Sequence, residues 1–197
     1  MHLSFAKDQW TTEDFTYAYS RRFEETPVFA QREEYVESLA NPDAVYGFDN
    51  ISFLTRDKVA VGTKIAARCA FFGDGAPLVL LARDLETDER GVLRYGDYFE
   101  VVLYKNGINV WRLWQDPAGK PENGGIVWHK RLGAQFPVEE GVPHDLVVET
   151  AEKQLTITVD GTHTLTLRVE DLFETFHAGI DACEGVNRFW SLDVEER

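Results

Sequence analysis

From Tyr98 to Trp114, apolar and polar side chains alternate on both sides of Asn106-Gly107, a dipeptide suited to the positive φ angles of a tight hairpin turn. A two-residue turn at Asn106-Gly107 pairs Lys105 with Ile108, Tyr104 with Asn109, Val102 with Trp111 and Phe99 with Trp114. Side chains alternate across a strand, so this register predicts two unlike faces. One carries Phe99, Val101, Leu103, Val110 and Trp114, with Arg112 as its one charge, and reads as core. The other carries Tyr98, Glu100, Tyr104, Asn109 and Trp111 and reads as a binding surface. Arg112 has two readings: a buried charge satisfied by a carboxylate such as Asp181, or a side chain that looks into a cleft with Trp114.

A second hairpin follows the same logic. Leu155, Ile157 and Val159 alternate with threonines, and so do His163, Leu165 and Leu167 beyond Asp160-Gly161. A three-residue loop of Asp160, Gly161 and Thr162 sets Ile157 against Leu165 and Leu155 against Leu167, whereas a two-residue loop mixes the faces. Thr156, Thr158, Thr164 and Thr166 then form a hydroxyl ladder on the outer face.

Elsewhere Thr63 to Phe71 alternates, with Ile65, Ala67, Cys69 and Phe71 inward. Pro77 to Arg83 is an apolar run of the kind shown by a strand covered on both faces. Asp84 to Gly96 reads as a long, charged surface loop. Ile126 to Leu132, His144 to Thr150, His177 to Cys183 and Arg188 to Glu195 supply further strands, and Asp14 to Arg22 and Pro27 to Glu37 read as two more. A helical period is weak everywhere except over Val169 to Phe176. About a dozen strands predict two packed sheets, an all-β sandwich.

Composition narrows the partners. The chain of 197 residues holds 34 acidic against 20 basic side chains, a formal charge of −14 that repels phosphate backbones and anionic membrane surfaces. Nucleic acid and membrane are therefore not expected partners, and a monomer or homodimer is expected. The N-terminal residues Met1 to Asp8 lack a basic stretch followed by an apolar one, and no run approaches the roughly 18 apolar residues of a membrane span. Two lone cysteines, Cys69 and Cys183, suggest a reducing compartment, so a cytoplasmic location is expected, although a disulfide between them is possible on count alone. The five histidines show no close pair at ligand spacing, so no metal or cofactor is expected.

Aromatic plates beside a carboxylate and an amide on a rigid strand pair are what a sugar ring needs: an apolar face to stack on and groups to hold its hydroxyls. Tyr98, Tyr104, Asn109 and Trp111 are the candidates on the first hairpin. His129 is a candidate base, and Asn187 and Arg188 offer donors for hydroxyls or uronates. Arg188 also has a purely structural reading, pairing with Glu184 to pin a loop.

The segments HDLVVETAEKQLTITVDG (His144 to Gly161) and HAGIDACEGVNRFWSLDV (His177 to Val194) resemble the C-terminal half of concanavalin A-like lectin and glucanase domains. That resemblance implies an antiparallel jelly-roll sandwich whose concave sheet binds or cleaves glycans, with the N-terminal strand beside the last one and residues 1–197 forming one domain. Glucanases of this kind carry Glu-x-Asp-x-Glu, or a form one residue longer, on one concave strand. The comparable strand here, Glu100-Val101-Val102-Leu103-Tyr104, keeps only its first carboxylate, and Glu184 is the best second acid. Three functions stay open: oligosaccharide binding, glycan cleavage with Glu100 and Glu184 as acid and base, and a non-catalytic protein-interaction module.

Overall fold

Period-two alternation resolves into strands at nearly every expected position. In this computed structural model, which describes residues 1–20, 29–38, 52–121 and 125–196, the strands form two antiparallel eight-stranded sheets and a small third one. The first sheet runs β17 (His163–Arg168), β16 (Gln154–Val159), β15 (His144–Ala151), β8 (Lys64–Phe72), β19 (Val186–Glu195), β5 (Val36–Ser38) and β4 (Phe29–Gln31), with β1 (His2–Ser4) also on β19. The second runs β14 (Ile126–Gln135), β13 (Gly107–Gln115), β12 (Tyr98–Tyr104), β9 (Ala76–Ala82), β18 (Thr175–Cys183), β6 (Phe53–Leu54) and β2 (Thr16–Tyr17), with β7 (Val59–Ala60) on β18. The third joins β10 (Glu86–Thr87), β11 (Leu93–Tyr95) and β3 (Tyr19–Ser20). The N-terminal strand lies beside the last, as the jelly-roll resemblance implies. Arg21, Arg22 and Pro27 lie outside the described residues.

The main core fills the space between the two large sheets. Ile65, Cys69, Phe71, Leu146, Val148, Ile157 and Phe189 from the first meet Val79, Leu81, Phe99, Val101, Leu103 and Val110 from the second, all fully buried. Full burial of an aliphatic or aromatic side chain contributes about 1.5 to 3 kcal/mol each. The Asp160 hairpin has the expected register, Ile157 opposite Leu165 and Leu155 opposite Leu167, and the Thr158 and Thr164 hydroxyls are 3.1 Å apart on its outer face.

The other hairpin differs from expectation by two residues. Tyr104 pairs with Gly107, Val102 with Asn109 and Glu100 with Trp111, so Lys105 and Asn106 make the turn. Neither turn residue has a positive φ; that conformation falls on Gly107, at +124°, inside the ladder, where a Cβ would lie 2.1 Å from the Ala134 carbonyl oxygen. Glycine is needed there as a ladder residue, and the turn moves back to accommodate it. A slip of two residues leaves every side chain on its own face, so the face assignment stands.

Two further expectations are corrected. Val169 to Phe176 forms no helix, its end being the start of β18. The stretch from Asp84 to Gly96 is not simply a surface loop: β10 and β11 lie within it, and Tyr95 is buried against Leu78, Leu80 and Tyr98 on the outer face of the second sheet. One aromatic among charges was too sparse a signal to show this.

Arg112 is buried, as the first of its two readings holds, but Asp97 and Asp171 are its partners. Its guanidinium lies 4.9 Å from the ring centres of both Phe99 and Phe173. Asp181 instead accepts a hydrogen bond from the Tyr95 hydroxyl at 2.9 Å and from the Ala182 amide at 2.7 Å, and the Ser52 hydroxyl lies 2.9 Å from the Tyr95 oxygen. Burial pushes the Asp181 carboxyl up to about 7, and the hydrogen bonds only partly oppose this. Between about pH 4 and pH 7 the folded protein thus holds a proton that the unfolded chain has released. Asp181 then makes stability fall as pH rises through that window, by a few kcal/mol, and flatten above it. Urea midpoints of the wild type and Asp181→Asn should diverge in slope across pH 4 to 7, the variant lacking this decline; parallel profiles would show that Asp181 titrates normally.

Candidate functional site

On the outer face of the second sheet, the Tyr95 flap covers one half and leaves the other open. The open half is a cleft of about 370 Å3, lined by Glu100, Val102 and Tyr104 of β12, Asn109, Trp111 and Leu113 of β13, and Trp128 of β14. Its far wall is the turn Gly73 to Ala76, with Glu184 at the rim. Strand alternation explains why these side chains converge: Glu100 lies between Trp111 and Leu80, and Val102 between Asn109 and Leu78, in adjacent rows of one face.

The polar groups of the cleft have distinct environments. Glu100 is only 8% exposed, at the cleft floor. The Asn109 Oδ1 atom is buried and, among the described residues, accepts no hydrogen bond. Lys105 Nζ lies 3.0 Å from Asp74 Oδ1, and that bond raises the lysine pKa. Glu184 and Gly185 both adopt positive φ, 48° and 50°, in the turn from β18 to β19. A Cβ on Gly185 would lie 2.3 Å from the Gly75 nitrogen, so the two turns pack backbone to backbone, and the exposed Glu184 is held against the Gly73 to Ala76 wall.

Of the residues singled out from sequence, Glu100, Tyr104, Asn109, Trp111 and Glu184 meet in this one cleft. The others lie elsewhere. Tyr98 is fully buried, edge-to-face on Tyr95 with ring centres 4.8 Å apart. Asn187 is fully buried, and its side-chain amide donates to Ser38 Oγ and to the Glu184 carbonyl oxygen. Arg188 belongs to the first sheet, where its Nε donates to Glu37 Oε2 at 2.6 Å and its guanidinium lies 4.2 Å from the Phe72 ring centre. Glu37, not Glu184, is the carboxylate it pairs with.

No family model and no curated protein matches the sequence. Among solved structures, the carbohydrate-binding module CBM66 from Bacillus subtilis is 12% identical, with a TM-score of 0.62 over 87% of this chain and 92% of its own. β-Agarase A, solved in complex with oligoagarose, is 9% identical, with a TM-score of 0.62 over 87% and 76% of the two chains. Rv0315 of Mycobacterium tuberculosis, described as a pseudo β-1,3-glucanase, is 12% identical, with a TM-score of 0.55 over 100% and 98%. The chain shares the jelly-roll fold of these proteins.

Within the jelly roll, the contribution of β14 to the cleft is decided by one irregularity. Val110 pairs with Leu132 but Trp111 pairs with Lys130, so Arg131 is an extra residue in the ladder. Were the ladder straight, Trp111 would oppose Arg131, and Leu113 would oppose His129. The bulge turns the strand by one residue, bringing Lys130 and Trp128 to the cleft face. His129 is carried with it to the opposite face, across from Arg112, and Arg131 reaches Asp171 at 2.8 Å. Trp128, 43% exposed at the cleft edge, is the functional candidate that the sequence pattern missed. A bulge leaves no mark on alternation beyond a change of phase, which a short strand hides.

Among the described residues, no group of three or more His, Cys, Asp or Glu is placed to hold a metal ion, and no helix is long and apolar enough to cross a membrane.

Proposed function

We propose that the cleft binds an oligosaccharide, its rings stacked on Trp111 and Trp128 and its hydroxyls held by Glu100, Asn109 and Tyr104. The observation that carries this reading is the Asn109 carbonyl, buried and, among the described residues, without a donor, beside an indole plate. Buried acceptors without partners are rare, and a sugar hydroxyl is a donor of the right size. The oligoagarose-bound agarase and the carbohydrate-binding module of the same fold support it. Cys69 is a buried free thiol, and burial pushes its pKa up; an inert thiol is compatible with the cytoplasmic setting that we also propose.

A second reading, glycan cleavage, is favoured by the presence in the one cleft of Glu100 on the floor and Glu184 on the rim, Asp74, the third carboxylate there, being tied to Lys105. Retaining chemistry needs the pair about 5 to 5.5 Å apart and inverting chemistry about 6.5 to 9.5 Å.

Ring stacking on an aromatic plate contributes about 1 to 3 kcal/mol. Trp111→Ala should therefore weaken binding of a cognate oligosaccharide about fivefold to 150-fold in calorimetry, while the half-buried position leaves the far-UV circular dichroism unchanged. Equal affinity in the variant would remove the cleft from consideration.

Glu100→Gln separates the two readings. If bonds are cut, reducing-end release should stop while the oligosaccharide still binds; turnover equal to that of the wild type would exclude Glu100 from the chemistry.

A further inference from the structure

The bulge at Arg131 delivers a second side chain to the cleft whose place is as specific as that of Trp128. Lys130 is the ladder partner of Trp111, and its Nζ lies 5.5 Å from the centre of the Trp111 ring, within the range of a cation–π contact. Its seat depends on Gly133. A Cβ there would lie 2.8 Å from Lys130 Cε and 2.9 Å from Nζ, and 3.2 Å from Asn109 Oδ1. Any side chain at position 133 therefore takes the notch through which the lysine reaches Trp111. The other lysine of the cleft is engaged differently: Lys105 is tied to Asp74 across the rim, whereas Lys130 makes no ion pair among the described residues.

We propose that Lys130 is a displaceable cover on the Trp111 plate, seated in the Gly133 notch, which a saccharide must push aside before it can stack. The inference rests on the oligosaccharide reading of the cleft. An ammonium and a sugar ring cannot share one π face, so the cation–π contact opposes binding. Lys130 thereby raises the affinity threshold of the site and favours ligands long enough to engage Trp128 before Trp111. The bulge and the glycine act together: the first turns Lys130 toward the cleft, and the second makes room for it.

Three substitutions test this without removing the plate. Lys130→Ala strips the cover. Gly133→Ala fills the notch but keeps the lysine charge. Lys130→Arg replaces the ammonium with a guanidinium that stacks more strongly on an indole. Calorimetric titration with agarohexaose, laminarihexaose and cellohexaose, three neutral probes, should show the first two variants binding about two- to fivefold tighter than the wild type, and the arginine variant binding more weakly. A readout independent of affinity accompanies it. The Lys130 ε-methylene protons, lying over an indole, should be shifted upfield in the NMR spectrum of the free protein. That shift should be lost in Trp111→Ala and should relax toward the ordinary lysine position as the hexasaccharide is added.

A hexasaccharide whose binding is abolished by Trp111→Ala but unchanged or weakened by Lys130→Ala would overturn the cover while leaving the oligosaccharide reading intact. So would a Gly133→Ala variant that binds as the wild type does, because the notch would then not matter. Failure of all three hexasaccharides to bind the wild type and every variant at millimolar concentration would overturn the oligosaccharide reading, and the cover with it.

Discussion

Strand β9 has no face to give to water. Leu78, Val79, Leu80, Leu81 and Ala82 are all fully buried, and the second sheet, in which β9 is central, must be covered on both sides. The first sheet covers one side through the main core. The other needs a separate lid, and the Tyr95 segment provides it, packing on Leu78, Leu80 and Tyr98. At about 25 cal/mol per Å2 of apolar area, two covered faces on a central strand are a strong reason for a chain to fold a charged segment back over itself. The cleft is the part of that face which the lid does not reach. Close backbone approach also seats β6 on the far side of β18: Gly179 leaves no room even for a Cβ, which would lie 1.9 Å from the Phe53 carbonyl oxygen.

Buried polar groups are arranged so that each large apolar cover is also pinned in register. Asp181 and Ser52 bind the Tyr95 hydroxyl beneath the lid, a pairing that costs desolvation but makes sliding of the lid costly too, since any displaced position takes the Tyr95 donor from a buried carboxyl. Arg112 does the same at the end of the sandwich. Between the Phe99 and Phe173 rings, with Asp97 and Asp171 as counter-charges, it joins the second sheet to the segment that precedes β18. Glu37 does so on the other sheet, held between Arg32 and Arg188. The charges that look misplaced in an alternating pattern are the ones that fix which strand lies where.

Chemistry in the cleft depends on a different kind of device. One residue too many in β14 exchanges a histidine and an arginine for a tryptophan and a lysine at the cleft face. Fold and function separate cleanly here. The jelly roll and the Trp111, Glu100 and Asn109 group on β12 and β13 would stand with or without Arg131 in the ladder, whereas the second indole plate, Trp128, and the lysine beside Trp111 would not.

Much of this was written in the chain itself. Alternation set Glu100, Tyr104, Asn109 and Trp111 on one face and Phe99, Val101, Leu103 and Val110 on the other, and it placed the threonine ladder of the Asp160 hairpin in its register, because a period of two and a turn residue are local facts. Acidic charge and aromatic content are likewise properties of the sequence alone. What tertiary structure decided was everything that depends on a partner distant in the chain. Gly107 moved its turn because Ala134, on the next strand, comes too close for a side chain. Tyr98, on the same face as Trp111, went under a lid that comes from residues 93–95. Asn187 and Arg188 stand beside Glu184 in sequence but on the other sheet, since the chain crosses between layers at Gly185. Trp128 entered the cleft, and His129 left it, through a bulge whose phase only the neighbouring strand can set. A strand's pattern fixes which side chains lie together on a face; which face meets water, and what lies beside it, is settled only by packing between strands far apart in sequence.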